Sequence, residues 1–206
     1  MLVGNGRCRY LITPPNNKQF YGANPHMDDA EVLLKTSRFT VVRRKYATPD
    51  GRFHLRESIQ HPGAVVILPL LADDHVCLIR NYRPAVGQTL LELPAGTLEP
   101  DEDPLRTAVR ELEEETGYRA EAVQPLFQFF MSPGILNERM HLFLATGLTA
   151  GPARLEPGEQ IEPQVVPWAE ALAMADDGRI QDAKTLVALF WYDRRRRNYP
   201  NHRAQA

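Results

Sequence analysis

The chain has 206 residues, of which 43% are hydrophobic and 24% charged, and its formal net charge is −2. This length suits one domain with a substantial core, and the charge balance gives no general basic surface for nucleic acid. No apolar run is long enough to predict a membrane span, and the first residues lack a secretory signal pattern. Cys8 and Cys77 are too far apart in sequence for a metal-site spacing, so we expect free thiols in a reducing, cytoplasmic setting. A single disulfide between them stays an open alternative.

Residues 1–36 carry mainly turn and loop signals, for example Asn5-Gly6. Residues 28–34 fit either a short helix or the lead-in to a strand. We interpret the whole segment as an N-terminal arm. Two runs of strand-forming residues around a Pro-Asp-Gly turn then predict a β-hairpin within residues 37–60.

The apolar run from Ala64 to Leu71 predicts a strand buried on both faces. The remaining strands are predicted at 75–80, 90–93, 123–130, 140–146 and just before Trp168. Helices are predicted at 104–116, 168–176 and 183–192, the last capped by Asp182. Strands before and after a central helix favour an α+β fold, with a mixed sheet sandwiched between helices. The run Arg194 to Arg197 fits a solvated helix tail better than a phosphate or nucleic-acid patch.

The most informative segment is the central helix and the loop before it, residues 95–118. Asp103 suits an N-cap, Pro104 the first helical position and Gly117 a left-handed stop. A predicted apolar stripe along the helix consists of Leu105, Ala108, Val109 and Leu112.

Four carboxylates crowd the end of this helix, at Glu111, Glu113, Glu114 and Glu115. Acids there oppose the helix dipole by roughly 0.3–1 kcal/mol each, and like charges at i, i+4 cost roughly another 0.2–0.5 kcal/mol. Glu111 and Glu115 lie on one line beside the apolar stripe, whereas Glu114 points further toward solvent. Two such carboxylates suit a Mg²⁺ site, although the helix alone also fits a charged surface helix.

The spacing of Gly96, Glu102, Arg110-Glu111-Leu112, Glu114-Glu115 and Gly117-Tyr118 resembles the signature of the Nudix hydrolases, with every defined position filled. The resemblance implies a Nudix-type α/β/α sandwich that cleaves a nucleoside diphosphate linked to another group, using Mg²⁺ or Mn²⁺. The loop from Ser132 to Glu138 resembles that of the ADP-ribose pyrophosphatase branch, in which a proline stands sixteen residues after the signature glycine, as Pro133 does after Gly117. Residues 81–84, 93–96 and 178–185 also resemble this branch.

This resemblance implies roles for individual residues. The first-choice metal ligands are Glu111, Glu115 and the Ala95 carbonyl, with Glu114 as a further ligand or a partner through water. Glu102 and Arg110 are expected to hold the loop onto the helix, with Arg110 fixing a glutamate rotamer.

Three further residues are expected to act on the substrate from other segments. Glu138 is the candidate general base, on a loop that we expect to swing over the substrate. Arg83, and less directly Arg56, are candidates for phosphate binding, and Gly134 lies in the same loop as Glu138. Sequence does not choose the base-stacking aromatic among Phe39, Tyr46, Phe53 and Tyr82.

The sequence thus predicts a metal-dependent pyrophosphatase acting on ADP-ribose or a close ADP-sugar. Two alternatives stay open, namely another nucleotide sugar such as GDP-mannose and a non-catalytic ADP-ribose sensor. By resemblance we expect a homodimer whose hairpin at 37–60 exchanges across the two-fold axis. The expected organisation is an arm at 1–36, this hairpin, a Nudix domain at 61–195 and a tail at 196–206.

Overall fold

The computed structural model of the chain describes residues 30–155 and 157–198. Its first unit is a three-stranded antiparallel sheet of β1 (Ala30–Lys35), β2 (Thr40–Ala47) and β3 (Phe53–Gln60), in that order. Strands β2 and β3 confirm the predicted hairpin. Strand β1 lies inside the segment that we expected to be an arm, and residues 1–29 of that segment lie outside the described residues.

The second unit is a seven-stranded mixed sheet. Its strands are β4 (Ala64–Leu71), β5 (His75–Arg83), β6 (Gln88–Glu92), β7 (Ala95–Thr97), β8 (Tyr118–Phe130), β9 (Arg139–Ala150) and β10 (Ile161–Pro167). The order is β10-β5-β4-β9-β8, with β6 beside β5 and β7 beside β4. Only β4 and β9 run parallel, so the sheet is mixed as predicted. Strand β7 is a short addition that the sequence pattern did not reveal.

The helices α1 (Pro104–Thr116), α2 (Trp168–Asp176) and α3 (Ala183–Asn198) cover both faces of this sheet. Side chains alternate along the buried strand β4, because successive residues of a strand point to opposite faces. Val65 and Ile67 pack in a cluster with Leu112 of α1. Val66 and Leu68 belong to a larger cluster that includes residues of α2 and α3. This arrangement confirms the α/β/α sandwich.

Helix α1 has the predicted ends, but its buried face is rotated from the predicted stripe. The Asp103 carboxylate accepts a hydrogen bond of 2.9 Å from the N–H of Leu105, and Gly117 has a φ of +74°. Leu105 and Val109, which we expected in the core, are 41% and 47% exposed. The buried residues are Thr107, Ala108, Leu112, Glu115 and Thr116. An acid, Glu115, is therefore buried on this helix while two of the four aliphatic residues of the predicted stripe are exposed.

Candidate active site on helix α1

Gly96 lets the loop at β7 approach helix α1 at the position of Glu111. A Cβ atom placed on Gly96 would lie 1.9 Å from the Cδ atom of Glu111, a separation that no real side chain tolerates. Glycine is therefore required here by close approach and not by a left-handed turn. The first glycine of the signature and its first buried acid thus occupy one packing site.

Glu115 lies one helical turn further on and is 3% exposed. Its Oε2 atom accepts a hydrogen bond of 2.8 Å from the backbone N–H of Ala95, which places the Ala95 peptide beside the carboxylate. Burial, with the nearby charges of Glu111 and Glu159, raises the pKa of Glu115 to about 8. Among the four acids of the helix end, Glu115 alone has no Arg or Lys within 4.0 Å in the described part of the chain.

Glu111 is less buried, with 12% of its side chain exposed, and has one cationic partner. Its Oε1 atom lies 2.9 Å from Nη1 of Arg110. Burial nevertheless raises the pKa of Glu111 to about 7, because desolvation outweighs the attraction of that arginine. Two neighbouring carboxylates, one buried and one largely shielded from solvent, therefore lack enough positive charge, which is the environment that a divalent cation would neutralise.

Arg110 connects the helix to the loop before it, as we expected. Its Nε and Nη2 atoms lie 3.3 and 3.1 Å from the two carboxylate oxygens of Glu102. Its Nη1 atom contacts both Glu111 and Glu114 at 2.9 Å. These carboxylates raise the pKa of Arg110 above its already high ordinary value. The guanidinium holds three acids in place and fixes the rotamer of Glu111.

The donor set suits a divalent cation with an open coordination sphere better than a closed metal cage. Between residues 30 and 198, residue 156 excepted, no three His, Cys, Asp or Glu side chains converge as a complete ligand set. Mg²⁺ typically takes one or two carboxylates and fills its other positions with water and phosphate oxygens. Glu111, Glu115 and the Ala95 carbonyl would hold it in this way, with Glu114, 31% exposed, at the outer side.

Arg83 is not free but forms a two-point ion pair with Glu92, a residue that sequence reasoning missed. Its Nε and Nη2 atoms lie 2.7 and 2.6 Å from the carboxylate oxygens of Glu92. Lys184 contacts the same carboxylate at 2.6 Å. Burial alone would raise the pKa of Glu92, but Arg83 and Lys184 outweigh it and hold this pKa below its ordinary value. The only local sign of Glu92 was a single acid in the apolar run of residues 90–93.

The loop that carries Glu138 is hydrogen-bonded to β3, and its swing over the substrate stays a prediction. Ile59 of β3 donates a hydrogen bond of 2.8 Å to the carbonyl of Ile135 and accepts one of 3.1 Å from the N–H of Asn137. The Asn137 side chain accepts a further bond of 2.7 Å from the N–H of His61. The Glu138 carboxylate lies 3.6 Å from Nδ1 of His61. This loop is therefore tied to the three-stranded sheet.

A second carboxylate outside α1, Glu159, was not singled out from the sequence. It is exposed in the loop between β9 and β10, yet its charge raises the pKa of both Glu111 and Glu115. The charge of Glu159 thus acts on both acids, although its place in a loop with no recognised motif gave no signal.

The structure does not bring Arg56 or Gly134 into contact with the acids of α1. Arg56 is exposed on β3, where its Nε atom donates a hydrogen bond of 3.1 Å to the Tyr46 hydroxyl. A Cβ atom on Gly134 would meet nothing within 4 Å, so the loop itself does not require glycine there. Both residues stay predicted substrate contacts.

The fold and the α1 site together define a class, an α/β/α sandwich whose glutamate helix packs against a glycine loop. The model of the NUDIX domain matches residues 60–189, and the chain belongs to the Nudix family. A solved structure described as an ADP compounds hydrolase superposes with a TM-score of 0.72. It covers 82% of this chain and 92% of that chain at 24% identity, so it shows the fold alone.

Curated relatives carry several names. The chain is 38% identical over 143 residues to a Bacillus methanolicus protein named methanol dehydrogenase activator. It is 37% identical over 143 residues to an ADP-ribose pyrophosphatase of Bacillus subtilis (strain 168). Each alignment covers 68% of this chain and 77% of the relative. A GDP-mannose pyrophosphatase of Citrobacter koseri is 38% identical over 174 residues, which are 79% of this chain and 88% of that protein.

Proposed function

We propose that this Nudix hydrolase splits the pyrophosphate bond of ADP-ribose, or of a close ADP-sugar, into AMP and a sugar phosphate. The observation that carries the proposal is the pair of Glu111 and buried Glu115, whose charge lacks a full counter-charge beside the Ala95 loop. A diphosphate with divalent ions complements such a pair. The name of the Bacillus subtilis relative supports the choice of ADP-ribose.

The proposed cofactor is Mg²⁺, with Mn²⁺ as a substitute, held by Glu111, Glu115 and the Ala95 carbonyl. When bound, the cation neutralises phosphate charge and lowers the pKa of water. Residues of the chain orient the carboxylates and the substrate, and one of them accepts a proton from the attacking water. Arg110 contacts Glu111 and Glu114, and the charge of Arg83 acts on Glu115 by lowering its pKa. Arg56 and Gly134 are proposed as more distant substrate contacts.

The general base takes a proton from the water that attacks one phosphorus, while the bond from that phosphorus to the bridging oxygen breaks. Glu138 is the base that the sequence predicts, and Glu159 is a second candidate. The charge of Glu159 acts on both Glu111 and Glu115, which supports Glu159. The contact of Glu138 with His61 favours a role for Glu138 in holding its loop.

We also propose a homodimer formed through the three-stranded sheet. This sheet exposes large apolar side chains that a second copy would cover, namely Val32, Leu34, Phe53 and Leu55, each at least 52% exposed. Exposed apolar patches of this kind mark interaction surfaces. Light scattering after size-exclusion chromatography tests this proposal, and a monomer that remains monomeric at high concentration contradicts it.

The proposed setting is a reducing cytoplasm, which the free, buried thiol of Cys77 supports. Cys8 lies outside the described residues. Among the helices that the structure describes, none is both long and apolar enough to cross a membrane.

GDP-mannose is the second candidate substrate, and the Citrobacter koseri relative favours it. Phosphorus NMR of the products from ADP-ribose, ADP-glucose and GDP-mannose, each with Mg²⁺ or with EDTA, separates the possibilities. We expect AMP from ADP-ribose with Mg²⁺, none with EDTA, and slower turnover of GDP-mannose. Faster cleavage of GDP-mannose would make it the preferred substrate in place of ADP-ribose. Binding of ADP-ribose without any cleavage would identify a sensor.

A further inference from the structure

A charged cluster is buried behind Arg83, at the junction of β6 and the start of α3. We define the Glu92 cluster as Arg83, Glu92, Asp182, Lys184 and Thr185. Lys184 contacts Glu92 at 2.6 Å and Asp182 at 2.9 Å. Asp182 also caps α3 by accepting bonds of 3.0 and 2.6 Å from the N–H and hydroxyl of Thr185. Residues 178–185, which the sequence analysis singled out without a role, therefore end in this cluster.

The cluster is joined directly to the loop that serves the proposed metal site. The N–H of Leu93 donates a bond of 2.8 Å to the Thr185 hydroxyl. Two residues later, the N–H of Ala95 bonds to Glu115. A displacement of the start of α3 would therefore reach both Arg83 and the Ala95 loop.

Exposure differs sharply among the charged members. The side chains of Glu92 and Lys184 are 1% and 9% exposed, whereas that of Arg83 is 40% exposed. Glu92 engages Nε and Nη2 of Arg83, which leaves Nη1 as the guanidinium nitrogen without a hydrogen-bond partner in the described residues. Arg83 is thus held by Glu92 on one side, and the rest of its guanidinium stays open for a ligand.

The second cation at Glu92 has a physical consequence. A buried carboxylate that loses a partner is left partly uncompensated, which is strongly unfavourable. With Arg83 alone, any displacement of this arginine toward a phosphate would expose Glu92 to that penalty. Lys184 remains in contact with Glu92 and offsets its charge, so Arg83 can direct part of its charge outward. Lys, as a compact point charge, suits the back of the cluster, and the Arg fork suits the front.

We propose that Lys184 and Glu92 are positioning residues that hold Arg83 for the diphosphate of the substrate. This assignment rests on the proposed function, because it takes Arg83 as a phosphate contact. Lys184 touches no substrate in this account and acts only through Glu92 and Arg83.

Calorimetric titration with the α,β-methylene analogue of ADP-ribose in the presence of Mg²⁺ tests the assignment. Lys184→Met removes the charge with little change in volume, and we expect it to weaken binding by roughly 10-fold, as loss of a supporting partner does at other ligand sites. In hydrolysis assays it should raise KM more than it lowers kcat, because Arg83 contributes mainly to binding. Lys184→Arg, which keeps the charge, should restore most of the affinity.

A double-variant cycle separates positioning from general destabilisation. Arg83→Met should weaken binding, and adding Lys184→Met should weaken it no further, because both changes act through one contact. The control Arg179→Met removes a cation paired with exposed Asp177 in the preceding turn and should bind as the wild type does. If Lys184→Met does not fold, Glu92→Gln/Lys184→Met removes both buried charges and replaces it in the cycle.

The outcomes are distinct. Wild-type affinity in a folded Lys184→Met protein, or losses from Arg83→Met and Lys184→Met that multiply, would overturn the positioning role while leaving the proposed function intact. Failure of the wild-type protein to bind the analogue would overturn the proposed function, and this assignment with it.

Discussion

The backbone N–H of Ala95 donates a hydrogen bond of 2.8 Å to the carboxylate of Glu115, twenty residues later in the chain. This bond joins a three-residue strand to the last turn of α1 and gives a buried acid one neutral donor where an ion pair would be expected. A protonated or cation-bound Glu115 would satisfy the same geometry. The Ala95 loop therefore keeps its hydrogen bond to Glu115 whether this carboxylate is protonated or bound to a cation.

Gly96→Ala should damage the site more than its small size suggests. The new Cβ would overlap Glu111, so either the carboxylate or the loop must move. We expect kcat to fall by at least roughly 100-fold, since small misplacements of catalytic geometry have effects of this size. Steady-state kinetics measures the loss, and circular dichroism with thermal unfolding checks that the variant still folds. Normal kinetics in Gly96→Ala would show that the close approach is not needed.

Arg110→Lys should lower metal affinity although it keeps the charge. A single ammonium cannot replace a fork that contacts Glu102, Glu111 and Glu114 together. We expect Mn²⁺ binding to weaken by roughly 10-fold or more, as measured by electron paramagnetic resonance of free Mn²⁺. The control is Arg119→Lys, which alters the separate, exposed pair with Glu113. Equal affinity in the wild type and Arg110→Lys would remove Arg110 from the support of the site.

The metal-free protein should lose stability as the pH rises through neutrality. Glu111 and Glu115 have pKa values of about 7 and about 8 in the folded chain, above the value of 4.5 for a free side chain. Between these values the folded state binds more protons than the unfolded state, so the free energy of unfolding falls with rising pH. Urea denaturation in EDTA, repeated across this range, measures the slope.

The control for this pH dependence is Glu111→Gln/Glu115→Gln. This variant keeps His141, whose pKa is lowered by burial and which contributes to the pH dependence in the opposite direction. Because both proteins contain His141, its contribution cancels when their curves are compared. The variant should lose the downward slope and gain on the wild type as the pH rises. Parallel curves for the two proteins would mean that these carboxylates titrate normally.

Glu159→Gln and Glu138→Gln distinguish the two candidate bases. Replacement of the true base by glutamine should lower kcat by roughly 100- to 10,000-fold, with little change in Mn²⁺ affinity. We expect Glu159→Gln to show this loss, because Glu159 is the acid that perturbs Glu111 and Glu115. The opposite ranking would restore Glu138, and a loss of Mn²⁺ affinity in either variant would make that residue a ligand.

Local sequence signals predicted the parts of this protein that local physics determines. Asp103, Pro104 and Gly117 set the ends of α1, and the apolar run of β4 gave a strand buried on both faces. The buried face of α1 was partly wrong, because Leu105 and Val109 fitted the helical period as well as the residues that pack on the sheet. Periodicity alone cannot tell which edge of a stripe meets the sheet.

Long-range contacts explain what the sequence did not reveal. Glu92 and Lys184 lie 92 residues apart, and no local pattern links them. Glu159 lies in the loop between β9 and β10, which are separated by β4 and β5 in the sheet. Its position relative to α1 therefore depends on the sheet topology. Arg83 was selected as a phosphate contact by resemblance, but its pairing with Glu92 was visible only in three dimensions.

The central claim is that divalent cations hold Glu111 and Glu115 together with a diphosphate. Crystals of the wild-type protein with Mn²⁺ and the α,β-methylene analogue of ADP-ribose, measured at the manganese absorption edge, test it directly. We expect an anomalous peak about 2 Å from carboxylate oxygens of both residues, and no such peak in crystals of Glu115→Gln. Bound analogue with no manganese peak beside these two residues would contradict it.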